Sequence, residues 1–353
     1  MAALRTESGV FALAGHSIRD LGRGVALQSV DRQLEASPGM RAYVFGDRYE
    51  KSVEDASHHL SALTQALLVD EPTLFVSYVI WVEVVLSSLG LPEGCLAGSL
   101  AAIRETLVEE LPVALPGAAV EYLDTSLVAL SETSGELPTG LSQDGPLAVV
   151  ARGYLEALLG GDRWAAAEIV GEAVASGAIL PDVYEQVFRA SLHEVGRMWE
   201  SNRLSVAMEH YATGATEAIM LRLSPAAASD PPRNNRFLGA CVQGERHDMA
   251  IRMVCEVLRA DGWDTFFLGA DTPESVLARA IDEFRPAVVG LSATWLFNVD
   301  SLRGAVQRIN QTHSEVKVIV GGGRSIGSPD WQRRWAPTRA GSAWPGCRFS
   351  SGV

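Results

Sequence analysis

The segment GERHDMA, residues 244–250, places a glutamate, an arginine, a histidine and an aspartate almost side by side after an apolar run. An imidazole is a common metal ligand, and Glu245 stands two residues before His247, where its carboxylate can accept the second ring N–H and fix the tautomer. One histidine without a cluster of partners cannot hold a bare zinc ion. It can be the single protein ligand of a metal that brings its own equatorial donors, and the segment indicates this chemistry.

Three unusual stretches are predicted to meet at one edge of a parallel sheet. Beyond residue 235, short β-branched runs alternate with helical stretches, which favours βαβ units with helices on both faces of the sheet. Ligands of such folds lie beyond the carboxyl ends of the strands, where GERHDMA, LSAT and VGGG fall. Ser292 and Thr294 offer hydroxyl groups at this edge. Backbone without side chains is available there at Gly321, Gly322 and Gly323. The alternative is that His247 is an ordinary loop residue and that the glycines only make a turn.

Residues 145–228 are predicted to form a bundle of four amphipathic helices with short connections. Ser205 is a suitable N-cap for the last of these helices. The turn before it places Trp199, at the end of one helix, beside Glu209 and His210 at the start of its neighbour. An indole, a carboxylate and an imidazole would then crowd one end of the bundle. The alternative is an ordinary core tryptophan next to a solvated helix face.

Residues 1–140 are predicted to be an all-α domain, because their segments are helical and amphipathic to apolar. This part of the sequence contains no basic recognition helix. Two stretches rich in glycine, proline and small polar residues, 131–146 and 224–235, are predicted linkers. The last unit, residues 235–353, is expected to end in an irregular tail after GSPDW, which leaves one sheet edge less protected than usual.

The composition excludes several classes of partner. The chain has 353 residues, 47% of them hydrophobic, and a formal net charge of −14 from 43 acidic against 29 basic residues. This acidic balance disfavours binding to nucleic acid. The four cysteines are scattered without a CxxC pair, as expected of buried thiols in a reducing compartment. Because neither a signal peptide nor a clean membrane span is evident, we expect a cytoplasmic protein without a membrane partner.

The succession GERHDMA, LGADTP, LSAT and VGGG resembles the cobalamin-binding domain of methionine synthase, mutases and CarH-type photoreceptors, over about 95 residues. The resemblance implies a Rossmann-like, flavodoxin-like α/β domain that binds a corrinoid with its own base displaced from cobalt. It implies that His247 is the lower axial cobalt ligand, that Glu245 orients it, and that Arg246 and Asp248 also contact the cofactor. The nucleotide tail would run past the hydroxyls and glycines named above. Ala250 stands where the family has glycine, and its methyl group can crowd the tail.

The string W-x9-E-H, which begins at Trp199, resembles the capping bundle of the CarH-type light sensors. The resemblance implies adenosylcobalamin as cofactor, with Trp199 packed on its adenosyl group and with Glu209 and His210 bonded to its upper face or blocking it. Light would break the cobalt–carbon bond, and loss of the adenosyl group would change the domain packing. Glu200 stands where those sensors have a histidine, which excludes a bis-histidine light state from that position and leaves His193 or His210 as substitutes.

The whole layout, an all-α N-terminal domain, a four-helix-bundle cap and an α/β cobalamin-binding domain, resembles the photocobilins, a subfamily in which biliverdin accompanies cobalamin. This resemblance implies biliverdin bound in the N-terminal domain. The candidates for pairing with its propionates are Arg41, Arg48, His58 and His59, with ordinary surface positions as the alternative. The chain is therefore predicted to be a light sensor rather than an enzyme, a light-dependent homo-oligomer that acts on an unknown downstream protein. The alternative is a corrinoid methyl carrier of a methyltransferase system, which the bulky cap disfavours.

Overall fold

The computed structural model describes residues 2–37, 47–132, 139, 141, 144–223 and 233–322. The expected irregular tail after GSPDW lies outside the described residues, and so do Gly323 and Arg41. Among the described residues, none of the helices combines the length and the apolarity that a membrane span requires.

The N-terminal region is all-α, as predicted. Its helices are α1 (Ala2–Ala36), α2 (Asp47–Val69), α3 (Pro72–Ser88), α4 (Cys95–Glu110) and α5 (Pro116–Glu132). Gly22 lies inside α1 at φ 49° and ψ −127°, which is outside the helical range, so α1 is kinked at this residue. Each helix contributes buried apolar side chains to a common core, because each carries an apolar face.

Four helical segments follow and form the predicted bundle. They are α6 (Ala148–Leu159), α7 (Arg163–Ala175), α8, and α9 (Val206–Leu223). Helix α8 begins with Leu180–Asp182, passes through the π-helical segment Val183–Arg189 and continues as Ala190–Glu200. The expected N-cap of α9 is present, since the Met208 backbone N–H donates to the Ser205 hydroxyl at 3.3 Å. The π-helical segment was not predicted, because apolar periodicity over seven residues does not distinguish it from an α-helix.

The last unit is a parallel sheet with intervening helices, so the Rossmann-like prediction is confirmed. Its elements are β1 (Arg233–Cys241), α10 (Met249–Ala260), β2 (Trp263–Phe267), α11 (Glu274–Phe284), β3 (Val288–Ser292), a 3-10 turn (Leu296–Asn298), α12 (Val299–Thr312) and β4 (Lys317–Gly321). The strand order is β2-β1-β3-β4, and every pairing is parallel. All residues of β3 are buried, which is typical of a strand with both faces covered.

The two faces of the sheet join different neighbours. Alternate residues of a strand point to opposite faces, so Phe237 packs with Ile251 and Cys255 of α10, whereas Leu238 joins the core shared with the N-terminal helices. Helix α10 in turn contributes Met253 to the core of the bundle. The sheet therefore lies between the bundle on one side and the N-terminal region on the other.

Polar contacts reinforce the packing of the N-terminal region on the sheet unit. Arg303 of α12 donates to the Leu68 carbonyl of α2 at 2.8 Å, and the Asp300 backbone N–H donates to the Gln65 side chain at 3.1 Å. The N-terminal region also reaches the bundle, since the Ser88 hydroxyl of α3 donates to the Glu200 carbonyl of α8 at 3.1 Å. All three units consequently meet around the carboxyl edge of the sheet.

Candidate functional site

The loop after β1 is held in place by backbone contacts with a second loop. The Gly244 N–H donates to the Asp271 carboxylate at 2.7 Å, and the Asp271 N–H donates to the Glu245 carbonyl at 2.8 Å. Gly244 has φ 87°, and a Cβ there would lie 2.8 Å from the Asn298 side-chain oxygen. Glycine is therefore required at position 244 for both its backbone conformation and the close approach of Asn298.

Glu245 is the anchor of this loop, because its side chain is fully buried yet accepts hydrogen bonds at both oxygens. Oε1 accepts the His247 backbone N–H at 2.8 Å and the His247 ring at 2.6 Å. Oε2 accepts from the Thr294 and Trp295 backbone N–H groups and from the Asn298 side-chain amide, at 2.5, 3.2 and 3.0 Å. Burial by itself raises the pKa of Glu245, but these donors outweigh it and lower the pKa to about 2. The carboxylate is therefore ionised.

This ionised carboxylate determines the protonation of His247. Because Oε1 can only accept, Nδ1 carries the proton, and the lone pair of the neutral ring lies on Nε2. The hydrogen bond to Glu245 raises the pKa of His247, and the charge of Glu209 adds to the effect. The His247 side chain is 55% exposed, and Nε2 is the ring nitrogen that does not bond Glu245. The geometry is that of a metal-binding imidazole whose other nitrogen is fixed by a carboxylate.

The ends of β3 and β4 leave an open edge. Ser292 of β3 pairs with Gly321 of β4, and the Ala293 N–H continues the ladder by donating to the Gly321 carbonyl at 3.0 Å. A Cβ at Gly321 would have no neighbour within 4 Å, and Gly322 is exposed. Ser292 is only 3% exposed, so it lies under this edge rather than on it.

The end of the bundle carries the three residues of the predicted cap. Trp199 is 40% exposed at the end of α8. At the start of α9, the Glu209 carboxylate bonds the His210 ring at 2.6 Å and accepts the Thr213 hydroxyl at 3.2 Å. The charge of Glu209 contributes to the raised pKa of His247, so the start of α9 lies near His247.

The remaining two residues of the loop differ in their surroundings. Arg246 is exposed. Asp248 bonds Arg252 at 3.3 Å, and Arg252 also pairs with Glu217 of α9 at 3.0 Å. Asp248 is therefore part of an ion-pair link between α10 and the bundle, and its contact with a cofactor remains a prediction.

The described candidate residues for a bilin differ in their exposure. Arg48 and His58 are exposed. His59 is 5% exposed, and its Nδ1 lies 2.9 Å from the Tyr78 hydroxyl. The alternative of a surface position is therefore wrong for His59, because α2 buries this face under α3. Burial lowers the pKa of His59 to about 4, so the ring is neutral at physiological pH.

Three residues at this edge were not predicted: Asn298, Trp295 and Trp81. Asn298 and Trp295 both bond Glu245 or His247, whereas Trp81 belongs to α3 of the N-terminal region and lies against Trp295. The aromatic run WLF directly after LSAT was the available signal for Trp295. No sequence signal connects Trp81 with a residue more than 200 positions away.

The residues present fit a cobalt corrinoid. Within the described ranges no group of three or more His, Cys, Asp or Glu side chains could hold a metal ion. His247 offers one nitrogen, Nε2, with a fixed tautomer, and there is free space at Gly321.

The comparisons with known proteins agree with this class of site. Residues 235–337 match a family described as B12 binding domain, and residues 150–224 match a second family with the same description. The sheet unit is thus a Rossmann-like B12-binding domain, and the bundle before it is similar to the second family.

Three curated relatives each match between 34% and 42% of the chain. The chain is 31% identical to the HTH-type transcriptional repressor CarH of Myxococcus xanthus over 41% of its own length and 49% of the relative. It is 32% identical to the repressor CarA of the same organism, over 34% of the chain and 41% of the relative. It is 25% identical to the dimethylamine corrinoid protein of Methanosarcina barkeri, over 42% of the chain and 72% of the relative. The chain thus matches 49% of the length of CarH and 41% of the length of CarA. The similarities support a cobalamin-binding protein of the CarH type.

Proposed function

We propose that the chain is a light-responsive signalling protein that binds adenosylcobalamin, with His247 as the lower axial ligand of cobalt. The observation that carries the proposal is the 2.6 Å bond between His247 Nδ1 and the buried Glu245 carboxylate, which leaves Nε2 as the only ring nitrogen able to coordinate. The similarity to the repressors CarH and CarA favours a regulator over a metabolic enzyme.

Each part of the site has a task in this proposal. Glu245 holds the proton on Nδ1, and the Gly321 and Gly322 edge accommodates the nucleotide tail. Trp199, Glu209 and His210 close the upper side and exclude water from it. Adenosylcobalamin, when bound, supplies a cobalt–carbon bond that visible light breaks.

The output in this proposal is a change in how the bundle packs on the sheet domain. The link from Asp248 through Arg252 to Glu217 spans these two units, so displacement of the bundle must strain or break it. Arg252 is only 19% exposed in its side chain, which makes the loss of its carboxylate partners costly. A changed surface of the bundle would then alter the homo-oligomer and the contact with a downstream protein.

The direct test is an absorption spectrum of the reconstituted protein before and after green light, with gel filtration of both samples. We expect a stable photoproduct and a shift in elution volume. The Glu217→Gln variant should change the light-dependent shift and keep the photoproduct, since it weakens the ion pair with Arg252 from the bundle side and Glu217 is not among the residues proposed to contact the cofactor. A dark-state spectrum that survives illumination contradicts the light-sensing part of the proposal and leaves cobalamin binding intact.

The proposal includes biliverdin as a second chromophore, bound without a covalent bond to the N-terminal region. Its support is the likeness of the layout to photocobilins and the aromatic and histidine-bearing face of α2 and α3, where His58 and Tyr78 both approach Phe297. The full-length protein mixed with biliverdin should show red absorption that co-elutes with the protein and changes after green light. Free elution of the pigment contradicts this part.

A corrinoid methyl carrier is the second candidate. The observation in its favour is the exposure of the cap, since Trp199 is 40% exposed and the His210 side chain 76% exposed, which would leave room for a partner enzyme. The similarity to a dimethylamine corrinoid protein points the same way. Equal affinity for methylcobalamin and adenosylcobalamin would favour the carrier.

A further inference from the structure

The His247 nitrogen that would coordinate cobalt, Nε2, already accepts a hydrogen bond from an aromatic residue. The Trp295 indole N–H donates to His247 Nε2 at 3.3 Å, and the two ring centroids are 5.9 Å apart. Nε2 carries a single lone pair, and a lone pair that accepts a hydrogen bond cannot coordinate a metal at the same time. Coordination through His247 therefore requires the indole N–H to leave.

Trp295 cannot leave without disturbing the N-terminal region. Its ring meets Trp81 of α3 edge-on, with centroids 5.2 Å apart and planes at 84°, and it stacks on Phe297 at 6.4 Å. Phe297 in turn meets Tyr78 of α3 edge-on at 5.9 Å. These four rings form a continuous aromatic bridge from His247 to α3, and edge-to-face pairs depend strongly on their geometry.

The far end of the bridge is fixed to the bundle. The Trp81 indole N–H interacts with the side chain of Glu200, at the end of α8, and opposes the rise in pKa that burial causes for this carboxyl group. The Ser88 hydroxyl of the same helix α3 bonds the Glu200 carbonyl at 3.1 Å. Trp81 is thus held between Glu200 on one side and Trp295 on the other, so a displacement of Trp295 acts on the contact between α3 and α8.

We propose that Trp295 acts as a gate on the axial nitrogen of His247, because its indole N–H must leave Nε2 before cobalt can bind. When Trp295 moves, Trp81 moves with it. The ligation state of His247 therefore determines how the N-terminal region packs against the bundle. The inference rests on the proposed role of His247 as a cobalt ligand. It assigns Trp295 and Trp81 as positioning residues rather than as ligands. It also gives Glu200 a structural role at the position where the CarH-type pattern has a histidine.

The test compares Trp295→Phe, Trp81→Phe and the double variant, with Trp164→Phe as the control on an exposed tryptophan of α7. Phenylalanine keeps an aromatic ring and removes only the indole N–H and part of the ring area. Affinity for adenosylcobalamin is measured by absorbance titration in the dark, and thermal unfolding verifies that every variant is folded. Hydrogen exchange of Pro72–Ser88 is followed with and without the cofactor.

Trp295→Phe should bind adenosylcobalamin about 2- to 10-fold more tightly, because the free protein no longer loses a hydrogen bond when His247 coordinates. The double variant should deviate by more than about twofold from the product of the single effects, as expected of coupled residues. Cofactor binding should alter exchange in α3 of the unmutated protein and much less in Trp81→Phe. Trp164→Phe should behave as the unmutated protein does.

Unchanged or weaker binding by Trp295→Phe overturns the gate, and unaltered exchange in α3 overturns the connection to Trp81. When the unmutated protein binds the cofactor through His247, these two results overturn the gate and leave the proposed function intact. If His247→Ala binds the cofactor with an unchanged spectrum, the proposed function and the gate fail together.

Discussion

Replacing Glu245 by glutamine tests whether the buried carboxylate controls the tautomer of His247. The carboxylate has two accepting oxygens, which together receive five hydrogen bonds. A glutamine amide has one accepting oxygen and one N–H₂ group that only donates. The favoured orientation places the amide oxygen at the Oε2 position, because that site faces three N–H donors and the Oε1 position faces two.

The amide N–H₂ group of Glu245→Gln then faces His247. The His247 backbone N–H loses its acceptor, which costs about 1 to 3 kcal/mol of folding free energy. Nδ1 must become an acceptor, so the ring proton moves to Nε2 and occupies the position needed for coordination. Changing a carboxylate behind a metal-bound histidine typically costs 10- to 100-fold in affinity, which corresponds to about 1.4 to 2.8 kcal/mol. We expect a loss in this range for cobalamin.

The assay for Glu245→Gln is an absorbance titration with adenosylcobalamin, combined with thermal unfolding of the free protein. Glu256→Gln is the matched control, since Glu256 is also buried, at 4% exposure, but pairs with Arg259 away from the loop. The control should lose stability and keep its affinity. Affinity within twofold of the unmutated protein, together with an unchanged imidazole-bound spectrum in Glu245→Gln, would refute the tautomer argument.

Three further predictions address the tail, the cap and the N-terminal region. Gly321→Ala should leave the thermal stability of the free protein unchanged or slightly higher, because its Cβ would have no neighbour within 4 Å, while lowering the cobalamin affinity measured by titration; unchanged affinity contradicts the expected course of the nucleotide tail. Trp199→Ala should reduce the preference for adenosylcobalamin over methylcobalamin, and an equal loss for both ligands would show that Trp199 does not contact the adenosyl group. As the pH falls, His59 becomes protonated in the unfolded chain before it does in the folded protein, since burial lowers the pKa of the folded protein's His59 to about 4. Stability is therefore complete above about pH 6.5 and decreases towards pH 4, by about 2 kcal/mol at pH 5 in urea unfolding; His59→Gln should remove this part of the pH dependence, while His58→Gln should keep it.

The parts of the fold that follow from local sequence could be predicted. The β-branched runs and amphipathic segments beyond residue 235 indicate the parallel sheet, since strand and helix periodicities differ and alternate along the chain. The bond between Glu245 and His247 could also be anticipated, because the two residues are only two positions apart in one loop. Ser205 as an N-cap depends on its immediate neighbours alone.

Features that depend on the packing of distant segments could not be predicted. The contact of Trp81 with Trp295 requires the N-terminal region to pack against the sheet domain, and nothing in the local sequence of either tryptophan specifies it. His59 looks like a surface residue of a polar helical stretch, and only the position of α3 buries it. Glu200 could not be interpreted from its local sequence either, because the residue it interacts with, Trp81, belongs to the N-terminal region.

The central claim is that the nitrogen of His247 coordinates cobalt, and electron paramagnetic resonance of the protein with cob(II)alamin tests it most directly. An axial nitrogen splits the cobalt lines into triplets when it is nitrogen-14 and into doublets when it is nitrogen-15, because the two nuclei differ in spin. The measurement uses protein whose histidines alone carry nitrogen-15, mixed with unlabelled cobalamin. The account predicts doublets in the unmutated protein and their loss in His247→Ala. Triplets in the labelled protein would contradict it, since the axial nitrogen would then belong to the cofactor's own base.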